Sequence, residues 1–459
     1  MTRRLDYRDS VLKAYPEVYT PAALEALEVL APLNRDQHEL MARRIARRLT
    51  RERGRQRIAF LDPQALIPRT GIRVQDARDG NFDGSEIPAD LMRQWIQGTG
   101  PATRPRASTE SGLRNIAYAL LSGADGWMFD GEDALGQVDT MSLDNQRNLQ
   151  LAIAKDPRFL RVAEKVSAEM NQWAQGFFGR PIVADWRQQL DFTTKIFRAR
   201  GLHLDDRHVR EKDGTGFSAS IVDLALYVVN NHQRLRDSGA SIVLYLPKIQ
   251  TAEEAALWND LLAALEEHLG LPIGTIKVYV LVEQIEASFQ LMEIRAVLGR
   301  HFVGFNTGRW DYINSVADAM VWDPGFVNPN IDAIGMTYGY MRNYEDRVRR
   351  AVNTPIGTAA ALCGRAVWSP TSRSAPRRAS PQACAGRRQA ASASNSRGRA
   401  ASGWRTGRWC TSCGRYGRRS ARTTSSNASS RRSPTRRRTP TGWCCSSRRR
   451  APSGAPATC

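Results

Sequence analysis

Short, wholly apolar runs alternating with stretches of helical periodicity dominate the middle of the chain. Trp127–Phe129, Ile196–Leu204, Ile242–Leu246, Ile276–Val282 and Phe302–Phe305 read as buried strands. Between them, Ala252–Leu269 and Ala287–Leu298 carry helical spacing with few breakers, as in Leu257, Leu261, Leu262 and Leu265. Strands that alternate with helices predict a parallel α/β domain. Upstream, Thr20-Pro21 is a helix start, with Thr as N-cap and Pro at the first helical position. Leu24, Leu27 and Leu30, then Leu40, Met41, Ile45 and Leu49, predict a helical N-terminal region, with the charge-rich Arg43–Arg57 stretch as its solvated face. The Gly-, Pro- and polar-rich residues 80–105 read as a linker or long loop.

The apolar runs end in polar clusters: Asp130-Gly131-Glu132-Asp133, Arg198-Ala199-Arg200, Lys248, Glu283 and Arg309-Trp310-Asp311. Polar groups at the carboxyl ends of strands are the pattern of a (β/α)8 barrel, whose catalytic groups gather there. Glu283 and Asp311, at neighbouring strand ends, could share a divalent ion of the Mg2+ type, which takes hard oxygen ligands and often only one or two protein carboxylates. By sequence alone, salt bridging or helix capping is the more ordinary use of such a pair, and Glu286 is a competing ligand. Arg198 and Arg200 alternate onto one face of their predicted strand, so each needs a structural carboxylate or an anionic substrate. Gly201 permits close approach of a ligand or backbone, and His203 reads as a core histidine, with His208 and His301 having no stronger claim.

Composition splits the chain. All 46 acidic residues and all six His precede residue 347, whereas all seven Cys lie at or after Cys363. Residues 356–459 hold 22 of the 66 basic residues, every one an Arg, which leaves 44 basic against 46 acidic side chains before them. The net charge of +20 therefore belongs to the tail, and the globular part is near neutral. No apolar run approaches the ~18 residues of a membrane span, and Met1-Thr2-Arg3-Arg4-Leu5-Asp6 has no apolar signal core. Without cysteine before residue 363, the globular part uses neither disulfides nor thiolate metal sites, so a cytoplasmic enzyme is the expectation.

Several segments together carry a family resemblance. Arg198-Ala199-Arg200-Gly201-Leu202-His203-Leu204, Tyr245-Leu246-Pro247-Lys248, Leu281-Val282-Glu283 and Gly308-Arg309-Trp310-Asp311-Tyr312-Ile313 closely resemble malate synthase of the A type, as do Ile87-Pro88-Ala89-Asp90-Leu91, Thr99-Gly100-Pro101 and the Asp130–Asp133 cluster. The resemblance spans roughly residues 10–355, in order. It implies a TIM barrel with an N-terminal helical clasp and a C-terminal helical plug: clasp and linker over 1–110, barrel over 111–355, and an aberrant tail over 356–459 in which the plug is missing or scrambled. It further implies Claisen condensation of acetyl-CoA with glyoxylate and thioester hydrolysis to malate and CoA, the reaction of the glyoxylate bypass that feeds the tricarboxylic acid cycle. Carried over by motif, Glu283 and Asp311 would bind Mg2+, and Arg198 would stabilise the enolate of acetyl-CoA as the catalytic arginine. Glyoxylate would lie against Arg198, Glu283, Gly308, Arg309, Trp310 and Asp311. The family's general base, an Asp in a C-terminal Met-Glu-Asp segment, has no counterpart, because no Asp follows Asp346.

The tail reads best as a GC-rich gene translated out of frame, which enriches Arg, Ala, Ser, Pro, Cys and Trp and eliminates Lys, Asp and Glu. Codons for Gly364–Ala375 exist that, read two bases in, give Gln-Gly-Gly-Met-Glu-Pro-Asn-Ile-Pro-Val-Gly, similar to a malate synthase segment. The same offset over Ser402–Arg415 permits Arg-Val-Ala-His-Trp-Lys-Met-Val-His-Ile-Val-Arg. Two other readings of the tail are a disordered Arg-rich nucleic-acid arm and a zinc site at Cys410, Cys413, Cys444 and Cys445. The competing enzyme reading is a citrate-lyase-β-like CoA-ester lyase. Small-molecule substrates, with no nucleic acid and no membrane, are the expected partners.

Overall fold

A computed structural model describes residues 4–98, 100–102, 104–105, 107–133, 137–357 and 365–367, all within the first of two units, Met1–Ser412. The expectations on Thr99 and on the tail, including its cysteines and the plug, fall outside these residues except at 356–357 and 365–367.

The described residues form ten strands: β1 Leu5–Tyr7, β2 Trp95–Gln97, β3 Gly126–Asp130, β4 Thr194–Arg198, β5 Asp205–Glu211, β6 Gly216–Ser218, β7 Ile242–Leu246, β8 Ile276–Val282, β9 Phe302–Thr307 and β10 Arg365–Val367. Seven form one all-parallel sheet in the order β10-β9-β8-β7-β4-β3-β2, and β1, β5 and β6 form a small antiparallel sheet. Parallel neighbours need crossovers, and helices supply them, including Met141–Ile153 and Pro157–Phe178 between β3 and β4, Ala219–Asp237 before β7 and Ala252–His268 before β8.

The sheet is curled. In a flat sheet β2 and β8, four strands apart, would stand about 19 Å from each other. Yet the Trp95 ring on β2 lies 5.5 Å from that of Tyr279 on β8 and 5.8 Å from that of Tyr245 on β7. Met128, Ile196, Val243, Tyr245, Tyr279, Leu281 and Val303 fill the inner face with Trp95, while Trp127, Phe129, Phe197, Leu244, Val278 and Val280 pack outward against the helices. Burial on both faces explains why these strands read as continuous apolar runs rather than alternating ones.

Four expectations are corrected, wholly or in part. The strand predicted over Ile196–Leu204 stops at Arg198, because Arg200 turns away to its own acidic partners, Asp206 and Asp223. Residues 80–105 contain β2, the first strand of the parallel sheet, which pairs with β3. The Arg-rich stretch is a solvated face only in part: Arg43, Arg48, Arg53, Arg55 and Arg57 are exposed, whereas Arg44, Arg47 and Arg51 are half-buried against carboxylates. Along the Pro32–Arg53 helix, Arg43 pairs with Glu253, Arg44 and Arg47 with the fully buried Glu254, Arg48 with Asp318 and Arg51 with Glu286. The helix is thereby pinned across the carboxyl ends of the strands. His203 is exposed rather than in the core, whereas His301 is buried between Glu266 and Asn259.

Lys195 on β4 donates to the carbonyls of Leu190 (2.7 Å) and Thr193 (2.8 Å), and burial lowers its pKa to about 8. The folded value lies below the unfolded one, so the unfolded chain holds the extra proton between them, and the contribution of Lys195 to stability rises with pH through that window. Urea unfolding of the native chain, relative to Lys195→Met, is expected to gain about 3 kcal/mol from pH ~7 to ~11. A pH-independent difference between the two would contradict this.

Candidate active site

Period-two alternation builds the site. Met128, Ile196 and Leu281 face the barrel interior, so Asp130, Arg198 and Glu283, two residues further along, face inward at the carboxyl ends of β3, β4 and β8. Register supports the same layer, since Asp130 lies opposite Arg198 and Arg198 opposite Tyr245. After β9, Gly308 precedes the Arg309–Ala319 helix, which carries Asp311 in its first turn.

Arg198 is 1% exposed and surrounded by acid. Its guanidinium lies 2.7 Å from Glu132, 2.8 Å from Asp133, 3.5 Å from Asp130 and 3.7 Å from Glu283. Lys248, in the turn after β7, places Nζ 3.1 Å from Glu283 and 2.6 Å from Asp311. Five carboxylates thus face two cations. Burial pushes Glu283 up to about 7 and Glu132 up to about 8, even against the attraction of Arg198. Burial also raises Asp130, whereas for Asp133 the burial penalty, the largest single effect, is outweighed by Arg198, the hydrogen bond with Glu132 and Lys248 acting together, so its pKa is lowered. Three of these carboxylates, Asp130, Glu132 and Glu283, are buried, and their raised pKa values show that Arg198 and Lys248 do not fully offset the cost of burying them.

The six predicted site residues divide. Arg198, Glu283 and Asp311 converge with Gly308, whose backbone lies against Glu283. Arg309 turns its guanidinium to the carbonyl of Ile334 and over the Trp310 ring, and the Trp310 side chain is 53% exposed. Glu286, weighed as a metal ligand, is taken by Arg51 at 2.7 Å. Arg200 is a structural residue, bonded to Asp206 at 2.8 Å and Asp223 at 2.7 Å. Arg44 and the bridging role of Lys248 were not anticipated. The arginines at 44, 47, 48 and 51 stand at one-face helical spacing, a signal that they meet a surface together.

Glu283 and Asp311 fit a hard divalent cation in chemistry, offering carboxylate oxygens within reach of one central charge, that of Lys248 Nζ. Among the described residues, no group of three or more His, Cys, Asp and Glu is arranged to hold a metal, so such an ion would depend on these two carboxylates plus water or substrate.

Gly308 is required by space. A Cβ there would stand 2.8 Å from Glu283 Cβ and 3.1 Å from Leu281 Cδ1, while its N–H donates to Tyr344 Oη at 2.9 Å. Gly308→Ala is expected to lower stability by about 1–3 kcal/mol through overpacking and to displace Glu283. Urea unfolding checks the first effect, and an unchanged midpoint would contradict it.

Residues 194–370 match the family described as malate synthase, TIM barrel domain, a match that runs past the compositional break at residue 355. Malate synthase of Streptomyces clavuligerus is 33% identical over 78% of this chain and 60% of the relative. That of Myxococcus xanthus is 32% identical over 75% and 58%, and malate synthase A of Escherichia coli 29% identical over 72% and 54%. The chain thus spans somewhat over half the length of these relatives. Among solved structures, the Haloferax volcanii malate synthase magnesium/glyoxylate complex overlays 68% of this chain and 72% of its own at 13% identity, with a TM-score of 0.41.

Proposed function

The chain belongs to the malate synthase family, and from that premise we propose that its site is built to condense acetyl-CoA with glyoxylate and to hydrolyse the product thioester to malate and CoA. The observation that carries the reading is the convergence of Arg198 with Glu283 and Asp311 at the inner carboxyl ends of the strands.

Removing a proton beside a thioester carbonyl creates an enolate oxygen that needs a fixed positive donor already aimed at it. Arg198 suits that task, because its guanidinium stays protonated when buried and four carboxylates hold it in place. Glu283 and Asp311 would hold Mg2+, which when bound polarises an aldehyde and orients the adjoining carboxylate. The Arg309–Ala319 helix has no side-chain N-cap bond, so its first turn presents backbone N–H groups to an anion such as the glyoxylate carboxylate. No residue of the chain corresponds to the family's base. Glu283 and Asp311 make poor bases when engaged by a cation.

The out-of-frame reading of the tail accounts for that gap. An intact reading frame on resequencing, with the Arg-rich tail confirmed by mass spectrometry, would overturn it.

Manganese, a paramagnetic substitute for Mg2+, tests the site itself. Electron paramagnetic resonance titration is expected to find one Mn2+ bound per chain, tightened by glyoxylate and lost in both Glu283→Gln and Asp311→Asn. Binding that survives both substitutions, or no binding at all, would count against the reading.

A further inference from the structure

Lys248 is among the few described non-glycine residues with positive φ, at 56°. A left-handed residue of this kind costs about 1 kcal/mol or more and persists where its surroundings over-determine it. Here both backbone groups are held. The N–H donates to Glu283 Oε1 at 2.7 Å, and the carbonyl accepts from Arg44 Nη1 at 2.9 Å. Arg44 belongs to the Pro32–Arg53 helix and is itself anchored to the buried Glu254 at 3.5 Å. The N-terminal helix therefore sets the conformation of a residue in the barrel's mouth.

That conformation aims the side chain between two carboxylates. Nζ lies 3.1 Å from Glu283 Oε2 and 2.6 Å from Asp311 Oδ1, the residues to which the proposed function gives a divalent cation. A third carboxylate, Asp133, stands 4.0 Å from Nζ with its side chain about half exposed. A divalent ion bound by Glu283 and Asp311 needs the oxygens that the ammonium now contacts, and two cations at that spacing repel.

We propose that Lys248 is an internal counter-cation, which holds Glu283 and Asp311 together before a divalent ion arrives and is displaced by it towards Asp133. Lys248 then sets the metal affinity of the site by competing for it. The inference rests on the proposed metal role of Glu283 and Asp311 and goes beyond it by giving Lys248 a sign: its charge weakens metal binding.

The test compares Mn2+ titrations of the full chain and of Lys248→Met. The variant is expected to bind Mn2+ at least tenfold more tightly. It is also expected to melt at lower temperature in chelator and to recover on saturation with Mn2+. A second measurement uses the unsubstituted chain: acetylation of Lys248 by acetic anhydride, quantified by mass spectrometry, should rise several-fold when Mn2+ is added. Equal or weaker Mn2+ binding by the variant, or labelling that Mn2+ leaves unchanged, overturns the proposal. If Mn2+ still binds the unsubstituted chain through Glu283 and Asp311 in that case, the metal reading stands and only the role of Lys248 falls. Absence of Mn2+ binding in every protein overturns both.

Discussion

Arg200→Met is expected to destabilise the chain by about 3–5 kcal/mol, the cost of stranding buried charge. Arg200 is 1% exposed, and it donates to Asp223 through Nε (3.0 Å), Nη2 (2.7 Å) and its backbone N–H (2.8 Å), and to Asp206 through Nη2 (2.8 Å). Asp206 in turn accepts the N–H groups of His208 and Val209 on β5, and Asp223 lies in the Ala219–Asp237 helix. The guanidinium thus ties the end of β4 to the small sheet and to the following crossover helix. Without it, two carboxylates remain buried with no counter-charge. Adding Asp206→Asn and Asp223→Asn to Arg200→Met removes those charges and should recover much of the loss. Urea unfolding reads both, and a loss below about 1 kcal/mol for the single variant would contradict the assignment of Arg200 to structure.

The second large effect concerns turnover. Incubated with acetyl-CoA, glyoxylate and Mg2+, the chain as it stands is expected to release CoA no faster than a protein-free blank. Arg198 can stabilise an enolate only after a base has made one, and general-base assistance alone is worth about 10^2–10^4 in rate. The carboxylates nearest the site are committed: Glu283 and Asp311 to Lys248, and Asp130, Glu132 and Asp133 to Arg198. CoA release above the blank would show that one of them serves as base after all.

The sequence foretells the sheet better than its surroundings, for physical reasons. β7 and β8 run over Ile242–Leu246 and Ile276–Val282 as predicted, because strands buried on both faces leave unbroken apolar runs bounded by polar turns. β2 escapes notice since its three residues, Trp95–Gln97, lie in a Gly- and Pro-rich stretch with no periodicity of its own. The polar clusters at strand ends are visible for the same reason as the strands themselves: they interrupt apolar runs. What each cluster bonds to depends on the fold. Arg198 and Arg200, two apart in sequence, part company at the end of β4, one into the barrel mouth and the other into a structural triad. The pinning arginines of the Pro32–Arg53 helix resemble a solvated face until Glu253, Glu254 and Glu286, some 200 or more residues away, are brought beneath them. Lys248 carries its meaning in a backbone angle, which composition and spacing do not encode.

The claim that this is a malate synthase site with its base displaced from the reading frame is tested most directly by product analysis on a frame-corrected chain. Given acetyl-CoA, glyoxylate and Mg2+, that protein is expected to form one malate per CoA released, and Arg198→Lys should cut the rate by about 10^2–10^3. No malate from the corrected chain, or cleavage of malyl-CoA to acetyl-CoA and glyoxylate in its place, would contradict it.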